Sequence, residues 1–210
     1  IGPGGTLACL SDQGAQVTVV TFTGSDADTG YSRLEWKGKV GEMRREEAQR
    51  IDQILGIGRR VFLGHPTQDV RNDKTTYQQC VKLIRETRPE VIFTHWMEDK
   101  HRDHRAVAAL ADEARWKAAE NLMHDLGEPW YTPECYFYEI LELFPHPSLL
   151  VDITPGMERK LAAMQAAVTQ LDVLPGIHRY IQGLGMARGY ARGAQYAEAF
   201  LRSDLLPTLR

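Results

Sequence analysis

Apolar residues recur along this chain in two alternating rhythms, short continuous runs and longer stretches at helical spacing. The runs around Val17, Val19, Val20 and Phe22, and at Val91-Ile92-Phe93-Thr94, predict strands buried on both faces. Shorter runs predict further strands at residues 60–63, 136–141 and 149–153. Between them, Met43, Ala48, Ile51, Ile54 and Leu55 fall on one face of a helix over residues 41–55, which Gly56 to Gly58 stop. Helices are likewise expected at residues 6–13, ending before Gly14, and at 75–86, 106–123 and 155–170. Polar residues 24–39 predict a loop, and the tail at 177–199 predicts a helix with breaks. Strands alternating with helices imply an α/β fold built on a parallel sheet.

The composition leaves this picture intact and removes alternatives. A chain of 210 residues is long enough for one well-buried core, and a single domain is expected, with residues from about 135 to 210 as its C-terminal part. Hydrophobic residues make up 43%, charged residues 25%, and the net charge is -3, so no basic excess points to nucleic acid. Cys9, Cys80 and Cys135 lack any paired spacing, which argues against a disulfide framework or thiolate metal site and suits a reducing cytoplasm. Neither a membrane-length apolar run nor a signal pattern is present. A monomer and a homo-oligomer both suit this composition. The first residue is Ile1 rather than Met, followed by Gly2-Pro3-Gly4-Gly5, and the expectation is that the sequence begins inside a longer protein.

Chemistry concentrates where the 91–94 strand ends, in Glu98-Asp-Lys-His-Arg-Asp-His-Arg. Ligands bind at the C-terminal ends of strands in open parallel sheets, and carboxylates and imidazoles crowded there can ligate a divalent ion and move protons beside it. His104, at the start of a helix, is the candidate ligand, against the plainer reading of a first-turn surface histidine. Asp103 suits either an N-cap or a carboxylate that orients His101. A role apart from ligation, as general acid or oxyanion donor, is expected of His101. For Asp99 the favoured reading is closure of the loop through backbone amides, with orientation of a metal ligand as the alternative.

The run Asp99-x-His101-x-Asp103-His104-Arg105-Ala106-Val107 closely resembles the second signature of the PIG-L/LmbE-like N-acetylglucosaminyl deacetylases. Gly4-Gly5-Thr6-Leu7-Ala8 looks like the segment after that family's first signature. Arg44-x-x-Glu47 with Leu55-Gly56 looks like its second helix, and Tyr196-Ala-Glu-Ala-Phe200 like its closing motif. Val151-Asp-Ile-Thr154 and Lys160 also fit, so the resemblance spans essentially the whole chain. It implies a Rossmann-like three-layer sandwich with a mainly parallel sheet. The implied activity is zinc-dependent hydrolysis of the acetamide on a small N-acetylglucosamine-containing substrate, with one zinc per chain. By position, His104 resembles the zinc-binding histidine, and His101, partnered by Asp103, the imidazole that stabilises the tetrahedral intermediate. Arg44 resembles a substrate-side arginine, although an ion pair with Glu47 on the helix surface fits the same spacing. For Glu198 a structural role is favoured, since Tyr196 and Phe200 look like core anchors.

The sequence departs from the family pattern in two places. The first signature, His-Pro-Asp-Asp-Glu, which in the family supplies two zinc ligands and the general base, should precede Gly4-Gly5 and is absent from these 210 residues. His65-Pro66 does not replace it, because Thr67 and Gln68 stand where carboxylates are needed, and His65 reads as loop. Lys100 occupies a place where many relatives carry an aromatic residue. The expectation is an enzyme whose N-terminal strand and first metal motif are missing here, so that the 210 residues alone are inactive. A catalytically inactive sugar-binding or interaction module of the same fold is the alternative. A third reading takes Gly2-Pro3-Gly4-Gly5 as a phosphate-binding loop.

Overall fold

The computed structural model of the protein describes residues 1–24 and 32–206. In chain order the elements are α1 (Gly4–Asp12), β1 (Thr18–Thr21), α2 (Val40–Leu55), β2 (Arg59–Phe62), α3 (Lys74–Thr87), β3 (Val91–Thr94) and α4 (Arg102–Ala119). They continue with β4 (Glu134–Tyr138), β5 (Leu149–Asp152), α5 (Met157–Ala166), α6 (Val168–Leu171), α7 (Ile177–Arg192) and β6 (Ala197–Arg202). Of the expected loop at 24–39, a short 3-10 turn covers Leu34–Trp36, and residues 25–31 lie outside the described residues. No helix among the described residues is long and apolar enough to cross a membrane.

The chain forms two compact units, Ile1–Asp69 with Leu150–Ala199, and Val70–Leu149 with Phe200–Arg210. In the first, β1 and β2 pair in parallel from Thr18 opposite Arg59 to Thr21 opposite Phe62. Gly56 stops α2 in the left-handed region at φ 72°, where a side chain would run into Ser11 Oγ, the hydroxyl that donates to the Gly56 carbonyl at 2.8 Å. Ala8, Leu55 and Ala163 bury one cluster, and Ile153, Met157, Met164, Ala167, Ile177 and Ile181 another.

The helix expected over 155–170 is broken at Ala167, and Glu47 supplies the reason. Its buried carboxylate accepts from Thr169 N at 2.8 Å and Thr169 Oγ1 at 2.7 Å, taking the amide that a continuous helix would have turned to Gln165. Glu47 is therefore an interior anchor rather than half of a surface ion pair. The tail also differs from expectation. Helix α7 ends against Gly193 at φ 76°, and Ala197–Arg202 is a strand, with Ile153 N donating to Tyr196 O at 3.0 Å.

Glu198, on that strand, accepts from Gly5 N and Thr6 N, both at 2.8 Å, and meets Lys160 Nζ at 2.6 Å. A carboxylate thus fills the amino end of α1, where the partial positive charge of the helix favours an anion. This contact counts against the phosphate-loop reading of Gly2 to Gly5, since the Gly5 and Thr6 amides at the start of α1 already hold a carboxylate. A Cβ at Gly5 would lie 2.6 Å from Ile153 Cδ1 and 3.1 Å from Glu198 Oε1. Gly5→Ala is expected to destabilise the protein by about 1–3 kcal/mol through overpacking, read as a shift of the urea midpoint at unchanged slope. An unshifted midpoint would show that Ile153 yields without cost.

In the second unit β3 and β4 pair in parallel, from Val91 opposite Glu134 to Thr94 opposite Phe137. Strand β6 joins β4 antiparallel, Tyr138 opposite Phe200 and Tyr136 opposite Arg202. The α/β class is as expected, but the sheet is mixed rather than mainly parallel. Strand β4 stops at Tyr138 instead of residue 141 because the buried Glu139 carboxylate accepts from Phe144 N at 2.5 Å, turning the chain. Buried Arg85 of α3 donates to the carbonyls of Ala118, Glu120, Leu122, Met123 and Gly127, which satisfies the end of α4 and the chain beyond it. Asp112, Arg115 and Ser203 form a further buried polar group linking α4 to the chain after β6.

Candidate active site

The acid and imidazole cluster begins at the end of β3. Phe93 is wedged against Phe200 and Tyr136, with ring centroids 5.1 and 6.1 Å away, which anchors the strand just before the loop at residues 95–101. Trp96 leans its ring against Phe137 and Phe144, and Lys100 Nζ lies 3.3 Å from Glu142 Oε1. The loop leaving β3 is thus held to the chain that follows β4.

Asp99 closes this loop in the manner its plainer reading requires, its Oδ1 accepting from His101 N at 2.7 Å. The same oxygen lies 3.1 Å from His104 Nδ1, close in distance but off the line of a hydrogen bond. Asp99 is buried and closes the loop as its favoured reading expects, with its carboxylate beside the His104 imidazole.

Helix α4 starts at Arg102, four residues earlier than the apolar spacing predicts, and its N-cap is His101 rather than Asp103. His101 Nδ1 accepts from Asp103 N at 3.2 Å. An accepting Nδ1 carries a lone pair, so the proton of the neutral ring sits on Nε2 and points elsewhere as a donor. Asp103 therefore orients His101 through its amide, while its buried carboxylate accepts from Val70 N at 3.3 Å and stands in the first helical turn.

His104 occupies that first turn with its ring stacked on two imidazoles. His101 lies 4.6 Å away between centroids and His95 lies 4.2 Å away. Burial lowers the His104 pKa below its ordinary value, and Asp99 opposes the shift without reversing it. Burial, with His104 adding to it, pushes His95 down to about 3, so His95 is neutral at ordinary pH. Sequence reasoning passed over His95 and Tyr138, whose ring backs it at 5.0 Å. The signal available for His95 was its place directly after the buried run at 91–94.

His101, Asp103 and His104 are thus brought together, with Asp99 beside them. Arg44 belongs to the other unit, half-buried on α2. A catalytic zinc usually takes three protein ligands, and among the described residues no three His, Cys, Asp or Glu side chains converge as such a set. His104 stands beside the Asp99 carboxylate, which lies 3.1 Å from its Nδ1.

The chain is similar to several known proteins. A 4-oxalmesaconate hydratase of Pseudomonas putida is 30% identical over 182 residues, covering 80% of this chain and 67% of its own. A diacetylchitobiose deacetylase of Thermococcus kodakarensis is 29% identical over 211 residues, covering 94% and 76%. The solved N,N'-diacetylchitobiose deacetylase of Pyrococcus horikoshii, in complex with an inhibitor, superposes with a TM-score of 0.84 at 25% identity, covering 95% of this chain and 77% of that one. The family model for GlcNAc-PI de-N-acetylases, PIG-L, matches residues 1–115, which takes in both Gly4-Gly5 and the whole cluster at Asp99 to His104. The chain belongs to the PIG-L family.

Proposed function

We propose that this protein removes the N-acetyl group from a small N-acetylglucosamine-containing substrate, using a zinc ion held in part by His104. The observation that carries the proposal is the joint arrangement of Asp99, His101 and His104 at the end of β3, with Asp99 Oδ1 3.1 Å from His104 Nδ1 and His101 Nδ1 accepting from Asp103 N so that its Nε2 is a donor. Its presence in a PIG-L family chain 29% identical to a diacetylchitobiose deacetylase supports the acetamide as substrate. The reading needs further ligands, which the family's His-Pro-Asp-Asp-Glu signature would supply and which the 210 residues do not contain.

Zinc, when bound, supplies a water of pKa near 7 and polarises the amide carbonyl. The chain's own residues do the rest of the work assigned to them. His104 would hold the ion through Nε2, with the Asp99 carboxylate beside the opposite side of its ring. His101 donates its Nε2 proton in a hydrogen bond to the amide oxygen as that oxygen gains negative charge, and Asp103 N fixes the ring that does so. Arg44 is the candidate substrate-side cation. A general base, which the family pattern places in the first signature, would be needed to take the water's proton and pass it to the departing amine.

A second reading follows from the hydratase relative. Hydration of a conjugated acid also adds water to an electrophilic carbon while negative charge grows on a carbonyl oxygen, so His101 serves either reaction. Incubation of the zinc-loaded protein with N,N'-diacetylchitobiose should release acetate and free amine in equal amounts. No acetate from this or other N-acetylglucosamine compounds, together with hydration of 4-oxalmesaconate, would replace the deacetylase reading by the hydratase one. Sugar binding without either reaction would leave the inactive module.

A further inference from the structure

We propose that Arg105 is a positioning residue for His101, its guanidinium and its backbone amide together holding the turn of chain that carries the His101 ring. The proposal rests on the reading of His101 as the donor to the substrate's amide oxygen and adds a residue which that reading does not use.

Once the chain leaves β3 it has no ladder to pair its backbone, so each carbonyl of the loop needs another partner. Three consecutive carbonyls find theirs in one residue. Arg105 Nη1 donates to the Asp99 carbonyl at 2.7 Å and to the Lys100 carbonyl at 2.9 Å. The Arg105 backbone N–H donates to the His101 carbonyl at 3.2 Å, closing the first turn of α4. Two further bonds tie the turn to itself, His101 N donating to Asp99 Oδ1 at 2.7 Å and Asp99 N to Trp96 O at 3.2 Å. Lys100 is also held at its far end, where Nζ lies 3.3 Å from Glu142 Oε1. The backbone that leads into His101 is therefore fixed on both sides of Lys100.

Asp103 N sets how the His101 ring turns, through its bond to Nδ1, but not where the residue stands. The loop sets that, and a hydrogen bond to a developing charge weakens steeply when its donor is misplaced. Because Arg105 belongs to α4 and reaches back along it, the loop and the His101 cap are both referred to one helix. Arg105 is exposed, so packing does not account for its placement. Bonds from a charged donor are stronger than neutral ones, which suits a clamp at the edge of solvent. Both side-chain bonds leave from the one nitrogen, so a lysine ammonium could make them and an apolar chain could not.

Amide hydrogen exchange and steady-state kinetics of acetate release test the proposal, on Arg105→Met, Arg105→Lys, His101→Ala and the double variant His101→Ala with Arg105→Met. Arg105→Met should lower kcat by about ten- to a hundredfold with KM nearly unchanged, as misplacing a reacting group does. It should also speed exchange of the His101 amide about tenfold. Arg105→Lys should stay within about threefold of wild type in both measurements. In the His101→Ala background Arg105→Met should lower kcat no further, because the ring it positions is gone. Wild-type kcat in Arg105→Met would overturn the proposal. A full further loss in the double variant would also overturn it, by assigning the effect of Arg105 to something other than His101. Equal losses in Arg105→Lys and Arg105→Met would do the same, by showing that the two carbonyl bonds are not what matters. The exchange measurement needs no activity, and an unchanged His101 amide rate in Arg105→Met overturns the clamp on its own. The underlying reading fails separately, if His101→Ala keeps the wild-type kcat.

Discussion

His104→Ala should lower kcat/KM by about a thousandfold or more and strip the protein of bound zinc, whereas His101→Ala should lose about a hundred- to a thousandfold in kcat with its zinc retained. The two residues differ because α4 begins between them. His101 is the N-cap, with Nδ1 committed to Asp103 N and Nε2 left as a donor, a geometry that favours an oxygen bearing charge. His104 is one turn in, with the Asp99 carboxylate 3.1 Å from its Nδ1, and under the proposed reading its Nε2 holds the ion. The measurements are zinc content after dialysis and initial rates of acetate release. Zinc retained in His104→Ala, or zinc lost in His101→Ala but not in His104→Ala, would reverse the two assignments. Asp99→Asn keeps the acceptor for His101 N but removes the charge beside His104, so its zinc affinity should fall while the loop remains closed.

These distinctions were only partly legible in the sequence. Strand β3 matches its expected residues because four consecutive apolar or β-branched residues leave little alternative, although only Thr94 of them is buried. The start of α4 was hidden because its first turn, Arg102 to Arg105, is entirely polar and contributes nothing to a hydrophobic period. Its cap was hidden as well, since an imidazole stands where Ser, Thr, Asp or Asn usually does. Asp99 could be placed in the loop from sequence, but not simultaneously against His104, because that contact requires the helix to begin at Arg102. The tail misled for a different reason. Ala197 to Phe200 are all buried, so β6 lacks the alternation that distinguishes a half-exposed strand, and it follows a long helix after only a short turn. Pairing with β4, a partner more than fifty residues away in sequence, makes it a strand.

Glu198→Ala should destabilise the protein by about 3–5 kcal/mol. Removing the carboxylate leaves the Gly5 and Thr6 amides without their acceptor and Lys160 without its opposite charge, all in a buried setting. Glu198→Gln keeps an acceptor for the helix amides but not the charge for Lys160, and should cost less. A Glu198 and Lys160 double-mutant cycle separates the two contributions, since only the ion pair is shared between the sites. Activity distinguishes this structural role from a catalytic one. At temperatures where Glu198→Gln is fully folded, acetate release per folded molecule should stay within a few-fold of wild type, because the carboxylate is occupied by α1 and Lys160. A folded Glu198→Gln with its activity abolished would place Glu198 in the chemistry. A Glu198→Ala variant with unchanged stability would mean that the amino end of α1 is satisfied without it.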